Sequence, residues 1–141
     1  MLNIFFIKRL FTINGGIKTL AEASDHLAKG VHGVMIGRAA YKTPWEVLSR
    51  ADSAIFGVQD SSLTRRELIL QYADYADKVM QEKGMQAGKV LRPLSALFAG
   101  KPKAAKFRKV MEQERKAGKS MHEILLTAMK QIDDSILDSR D

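Results

Sequence analysis

Short apolar runs and amphipathic stretches alternate along this chain with turn-forming residues, and the spacing changes character near residue 57. Phe11-Thr12-Ile13 is short, β-prone and apolar, and stops at Asn14-Gly15-Gly16, a strong turn signal, so a strand is predicted there. Thr19-Leu20-Ala21-Glu22 then opens a helix as a capping box, its hydroxyl and carboxylate taking up otherwise free backbone N–H groups. Leu20, Ala23 and Leu27 fall on one face of that helix, and Gly30 is its natural stop. Val34-Met35-Ile36 is a continuous apolar strand, a pattern that predicts burial on both faces as in a parallel sheet. It ends at Gly37-Arg38. Strand, helix and strand in this order predict a βαβ unit. Thr43-Pro44-Trp45-Glu46 begins a further helix, with Thr43 as N-cap, Pro44 at the first helical position and Glu46 completing a capping box.

Gly57 and Gln59-Asp60-Ser61-Ser62 read as a linker, and everything beyond reads as helix. Thr64 and Glu67 form a capping pair ahead of an apolar stripe of Leu68, Tyr72, Tyr75, Ala76 and Val79 that ends by Gly84. Arg92 to Phe98 is a short helix, with Pro93 tolerated near its start. Beyond the breakers Gly100 and Pro102, Phe107, Val110, Met111 and Glu114 share a helical face. Ser120 and Glu123 cap a last helix with Ile124, Leu125, Ala128, Met129 and Ile132 inward. From Asp133 the pattern loses its period, which predicts fraying. Four amphipathic helices with short loops predict a small helical bundle.

Composition narrows the picture. A chain of 141 residues with 45% hydrophobic residues and three prolines is globular. Lys8 and Arg9 interrupt Met1–Phe11, so no apolar run approaches the roughly 20 residues of a membrane span. That stretch also lacks the basic region and cleavage site of a secretory signal. With no cysteine, disulfides, thiolate zinc sites and thiol chemistry are excluded, and His26, His32 and His122 have no metal-ligand spacing. Charge is uneven: Lys83 to Lys119 holds eleven basic residues against Glu112 and Glu114, within a chain of net charge +7. Such a cluster is either a polyanion-binding surface or a solvated helical face.

Asn14-Gly15-Gly16 and Gly37-Arg38 both stand at the carboxyl ends of predicted parallel strands, where α/β proteins bind ligands. Glycine lets backbone N–H groups approach phosphate oxygens, and a helix N-terminus adds a favourable dipole. In (β/α)8 barrels the loops after the last two strands often form a phosphate site. Ordinary strand-ending turns are the alternative. Tyr41, Trp45 and Phe56 are aromatics that could stack on bases, but an aromatic just inside a helix reads first as a packing anchor. The seven methionines read as gap-filling core residues.

Phe11-Thr12-Ile13-Asn14-Gly15-Gly16-Ile17 and His32-Gly33-Val34-Met35-Ile36-Gly37-Arg38-Ala39-Ala40-Tyr41 together resemble the end of the barrel in tRNA-dihydrouridine synthases, nearest the A-type branch. A second block, Arg92-Pro93-Leu94-Ser95-Ala96-Leu97-Phe98-Ala99-Gly100-Lys101-Pro102-Lys103-Ala104 followed by Phe107-Arg108, resembles the motif of their helical part. Pro93 stands where His is usual, Ala96 and Lys103 where glycines are, and Phe107 where Trp is common. The resemblance implies an α/β piece, the C-terminal βαβ end of a (β/α)8 TIM barrel over 1–57, followed by an all-α bundle over 64–141. It further implies FMN as cofactor, NADPH as reductant and uridine in tRNA as substrate, reduced across its C5–C6 bond. Asn14, Gly15, Gly16, Gly37 and Arg38 would surround the FMN phosphate. Arg92, Lys101, Lys103, Lys106, Arg108 and Lys109 would meet tRNA.

No catalytic residue is assigned, because the acid cysteine that the resemblance implies has no counterpart here. A full barrel takes about 250 residues, and only two of its strands are predicted, so the chain reads as a C-terminal piece, inactive by itself. Met1–Leu10 departs from the helix expected before it and reads as an alternative start or a gene-model artefact. A monomer when full length is expected, in the cytoplasm or an organelle, with no metal and no membrane. The alternatives are the end of another FMN-dependent barrel oxidoreductase, or a non-catalytic RNA-binding helical module.

Overall fold

The structure is a computed structural model that describes residues 10–140, and the expectations for 1–9 lie outside them. Strand β1 (Thr12–Asn14) pairs in parallel with β2 (Gly33–Met35), Ile13 standing opposite Val34, and helix α1 (Leu20–Ala28) connects them. The βαβ unit is therefore present, each strand displaced by one residue from its prediction. Gly33 is needed for this pairing: a Cβ there would sit 3.0 Å from the Thr12 hydroxyl oxygen. Burial on both faces is not found. Met35 is 49% exposed, and Ile13 and Val34 are half-buried, because two strands and one helix are too little structure to cover both faces.

The first two predicted capping boxes are corrected. Thr19 accepts the Glu22 N–H at 3.1 Å, but the Glu22 carboxylate takes the Lys18 N–H at 2.7 Å rather than that of Thr19. Helices α2 (Arg38–Lys42) and α3 (Pro44–Leu48) meet at Thr43, whose hydroxyl donates to Ala39 O and closes α2. At φ −136° and ψ 62° Thr43 is not in the extended conformation usual for an N-cap, and its side chain makes no capping bond to α3. A π-helical turn, Asp52–Phe56, ends at Gly57. In the loop after it, Asp60 accepts the Ser53 hydroxyl at 2.5 Å and the Ser53 N–H at 2.8 Å, which hold its carboxyl below the usual range.

Helix α4 (Arg65–Lys83) begins with the predicted Thr64–Glu67 capping box, both halves formed, and ends at Gly84 in the left-handed region. Its buried face runs through Arg65, Ile69, Ala73, Ala76 and Val79, so the predicted stripe is rotated: Leu68 and Tyr72 lie at its edge and Tyr75 is exposed. Ala76 and Val79 are buried as predicted, while Ile69 and the small Ala73 take the inward positions expected of Leu68 and Tyr72. Helix α5 (Ala87–Leu91) runs into a 3-10 turn, Arg92–Ala96, with Pro93 in its first turn, instead of the single helix predicted to Phe98.

Helix α7 (Met121–Met129) is central, packed against both α4 and α6 (Ala104–Lys116). Its Ser120–Glu123 capping box and its inward Ile124, Leu125, Ala128 and Met129 are as predicted, with Ile132 buried just beyond. Phe98 and Phe107 meet edge to face at 4.8 Å in the same core. Met111, Met121 and Met129 are core residues, while Met35 and Met85 are exposed. The predicted fraying is corrected by helix α8 (Asp134–Leu137): Leu137 is buried, and Arg66 of α4 donates to Asp134 at 2.5 Å and Asp138 at 2.6 Å. These contacts span about seventy residues and leave no local period to read.

Lys103 has φ +62°, the one positive-φ residue other than glycine among those described. Its ammonium bonds Asp133 at 2.6 Å. A β-carbon in this conformation costs about 1 kcal/mol or more. Lys103→Gly and Lys103→Ala both remove the ion pair, but only glycine relieves the strain. The glycine variant is expected to be the more stable of the two by about 1 kcal/mol in urea unfolding.

Hydrogen bonds from Arg66 hold the Asp138 carboxyl below the usual carboxylate range. Protons then bind the unfolded chain in preference, so the stability from this pair is complete above about pH 4 and fades as pH falls through the lower folded value. Asp138→Asn is expected to flatten that acid limb of the stability profile, measured by urea unfolding between neutral and strongly acidic pH.

Candidate functional site

The two glycine turns open onto one cleft of about 820 Å³, and all of Asn14, Gly15, Gly16, Gly37 and Arg38 line it. The parallel pairing of β1 and β2 brings them together by ending both strands at the same side. Gly15 and Gly16 have φ of +138° and +79°, and a Cβ at either would meet nothing within 4 Å. The backbone thus requires glycine there while the space in front stays open. Gly37 is tighter, its Cβ position 3.3 Å from Met35 Cε.

Lys18, Tyr41 and Lys42 also line the cleft, and the sequence reading does not place them there. Arg38 and Lys42 are four apart on α2 and so share a helix face, a signal that spacing could have supplied. Among the described residues no carboxylate lines the cleft or pairs with Lys18, Arg38 or Lys42. The expected helix dipole is small, since α2 has five residues, and side-chain charge takes its place. Positive-φ glycines, an amide and three cations suit a phosphate-sized anion.

The six basic residues expected to act together are divided. Arg92 Nε donates to the Tyr41 hydroxyl at 2.8 Å, which ties it to the wall of the cleft. Lys103 is engaged by Asp133, and Lys101 is half-buried. At about 100° per residue, Lys106 and Lys109 share a flank of α6, while Arg108 lies on the opposite flank from Lys106. Arg108 instead shares with Arg92, Ser95 and Arg115 a shallow groove of about 240 Å³. Arg115, outside the predicted segment, is held by Glu112 at 2.5 Å.

Trp45 is buried in the core as an anchor, with the Arg65 guanidinium 4.2 Å from its ring centroid. Tyr41 and Phe56 are 57% and 73% exposed, so the anchor reading fails for them. Among the described residues no group of three His, Asp or Glu is placed to hold a metal ion. A second cleft of about 660 Å³, between α3, the 59–63 loop, α4 and the 3-10 turn, is mostly apolar and contains none of the predicted site residues.

The structure is thus a βαβ element with a cleft at its strand ends, followed by a basic helical segment. The chain belongs to the dihydrouridine synthase family, whose model, Dihydrouridine synthase (Dus), matches residues 7–133. Among curated relatives, the tRNA-dihydrouridine(20/20a) synthase of Vibrio vulnificus (strain CMCP6) is 35% identical over 121 residues, covering 85% of this chain and 36% of the relative. The protein of the same name from Escherichia coli (strain K12) is 34% identical over 137 residues, covering 93% and 39%. The chain spans well under half the length of the relatives it matches.

Proposed function

We propose that this chain is the C-terminal portion of a tRNA-dihydrouridine synthase, with residues 1–57 forming the barrel end and 64–141 an RNA-binding helical part. The observation that carries the reading is the cleft that gathers Asn14, Gly15, Gly16, Gly37 and Arg38. These residues would hold the phosphate of FMN, the glycines by close backbone approach and Arg38 by charge. FMN held there would supply, with NADPH as its reductant, a hydride to one carbon of the uridine C5–C6 bond, and the proton for the other carbon would come from an acid outside these residues. The chain's own residues anchor the phosphate and present cations to RNA. The cleft is walled by the two glycine turns and α2, whereas a pocket normally buries most of its ligand. The 141-residue chain alone is therefore expected to bind FMN more weakly than micromolar, and a tighter constant by fluorescence titration contradicts this.

The test of the reading is a chimera in which residues 10–140 replace the matching part of the E. coli K12 relative. It is expected to retain flavin and to restore dihydrouridine to tRNA in cells lacking their own enzyme. Gly37→Val in that chimera is expected to displace the phosphate and lower flavin content. Unchanged flavin content removes the phosphate assignment, and retained flavin without dihydrouridine favours another flavin oxidoreductase.

The basic helical segment supports a tRNA partner, and filter binding across several salt concentrations tests it. Phosphate contacts release counterions, so removing one phosphate-bound cation should weaken binding and reduce the log–log salt slope by about one. Weaker binding by Lys106→Ala and Lys109→Ala assigns one flank of α6, and weaker binding by Arg108→Ala assigns the groove. Wild-type affinity and slope in all three remove the segment from the RNA surface.

A further inference from the structure

We propose that the ring of Tyr41, held in place by Arg92, is a stacking platform for an unpaired base of bound RNA. The inference rests on the RNA-binding reading of the helical part and adds to it a base contact from the βαβ side. More than half of Tyr41 is exposed, and it packs in no part of the hydrophobic core. Its hydroxyl accepts from Arg92 Nε at 2.8 Å, and the guanidinium carbon lies 5.8 Å from the ring centroid. This bond joins α2 to the 3-10 turn fifty-one residues further along the chain. A ring already held this way has less rotamer freedom to lose when a base settles on it.

The surroundings of the ring select the ligand. Arg92 also lines the groove with Arg108 and Arg115, where Glu112, paired with Arg115, is the one carboxylate among the lining residues. Its Nε serves Tyr41, and its other four N–H groups take no part in that bond. An open aromatic ring beside a surplus of arginines matches single-stranded RNA, whose phosphates take the cations while a splayed base takes the ring. A duplex keeps its bases inside the stack and offers the ring nothing. Phe56 is more exposed than Tyr41 but lines neither the groove nor the glycine cleft, so it lacks the neighbouring cations.

The test is fluorescence anisotropy of the 141-residue chain with three labelled RNAs at several salt concentrations. They are a single strand of about ten nucleotides, an abasic strand of the same length, and a duplex of equal charge. Tyr41→Ala is expected to weaken binding of the single strand about tenfold, within the range of base–aromatic stacking. The log–log salt slope is expected to stay unchanged, because no cation is removed. The abasic strand and the duplex are expected to bind Tyr41→Ala as they bind the wild type. Tyr41→Trp is expected to keep single-strand affinity, and Tyr41→Phe, with the ring but without the Arg92 bond, to fall between. If Tyr41→Ala binds the single strand as tightly as the wild type, or loses affinity equally for all three RNAs, the platform is overturned while the RNA reading stands. A reduced salt slope in Tyr41→Ala assigns the loss to a displaced Arg92 and overturns it too. If the wild-type chain binds none of the three, the RNA-binding reading fails and the platform with it.

Discussion

The guanidinium of Arg65 is fully buried, and a buried charge costs several kcal/mol unless it is compensated on every side. Contacts to it come from segments on both sides of α4 in the chain. Trp45, from the helix after the second glycine turn, lies under it at 4.2 Å, and the carbonyls of Ile136 and Ser139 accept from Nη1, each at 3.4 Å. The first residue of α4 therefore joins the βαβ segment to the C-terminal helix. Arg65 is thus one buried group that both α3 and α8 meet. Removing Trp45 or the last turn would take away part of what compensates that charge, which costs more than the interaction itself is worth.

This explains why the chain's end is ordered despite its polar composition. Leu137 adds apolar burial, and Arg66, the next residue along α4, fixes Asp134 and Asp138 from the solvent side. Two successive arginines thus serve one docking event, one in the interior and one at the rim. The exposed pair contributes little by itself, but it confines α8 to the position that the Arg65 carbonyl contacts require.

What is legible in the sequence is what is decided within four residues. The Thr64–Glu67 and Ser120–Glu123 capping boxes, the left-handed stop at Gly84 and the inward face of α7 all follow from adjacent side chains and backbone groups. The five residues of the two glycine turns are legible because glycine marks the ends of short apolar strands, and the cleft does bring them together. Failures mark places where a distant partner decides. The pattern assigns Thr43 to the helix ahead of it, yet its hydroxyl belongs to the one behind. The expected stripe on α4 holds at Ala76 and Val79, but it runs through Leu68, Tyr72 and Tyr75 where Ile69 and Ala73 face the core. Burying Arg65 has no local signature at all, since its carbonyl partners stand more than seventy residues away.

The same logic bears on how the cleft and the basic segment relate. Tyr41 lines the cleft and accepts a hydrogen bond from Arg92, and Arg92 lines the groove shared with Arg108 and Arg115. Arg92 is therefore a wall support at one site and a cation at the other. A polyanion that drew its guanidinium away would leave the exposed Tyr41 ring without the bond that holds it. An anion already in the cleft favours the opposite, because it adds negative potential on the Tyr41 side. Cleft and groove are thus linked through one side chain, whose Nε donates to Tyr41 while its other four N–H groups take no part in that bond.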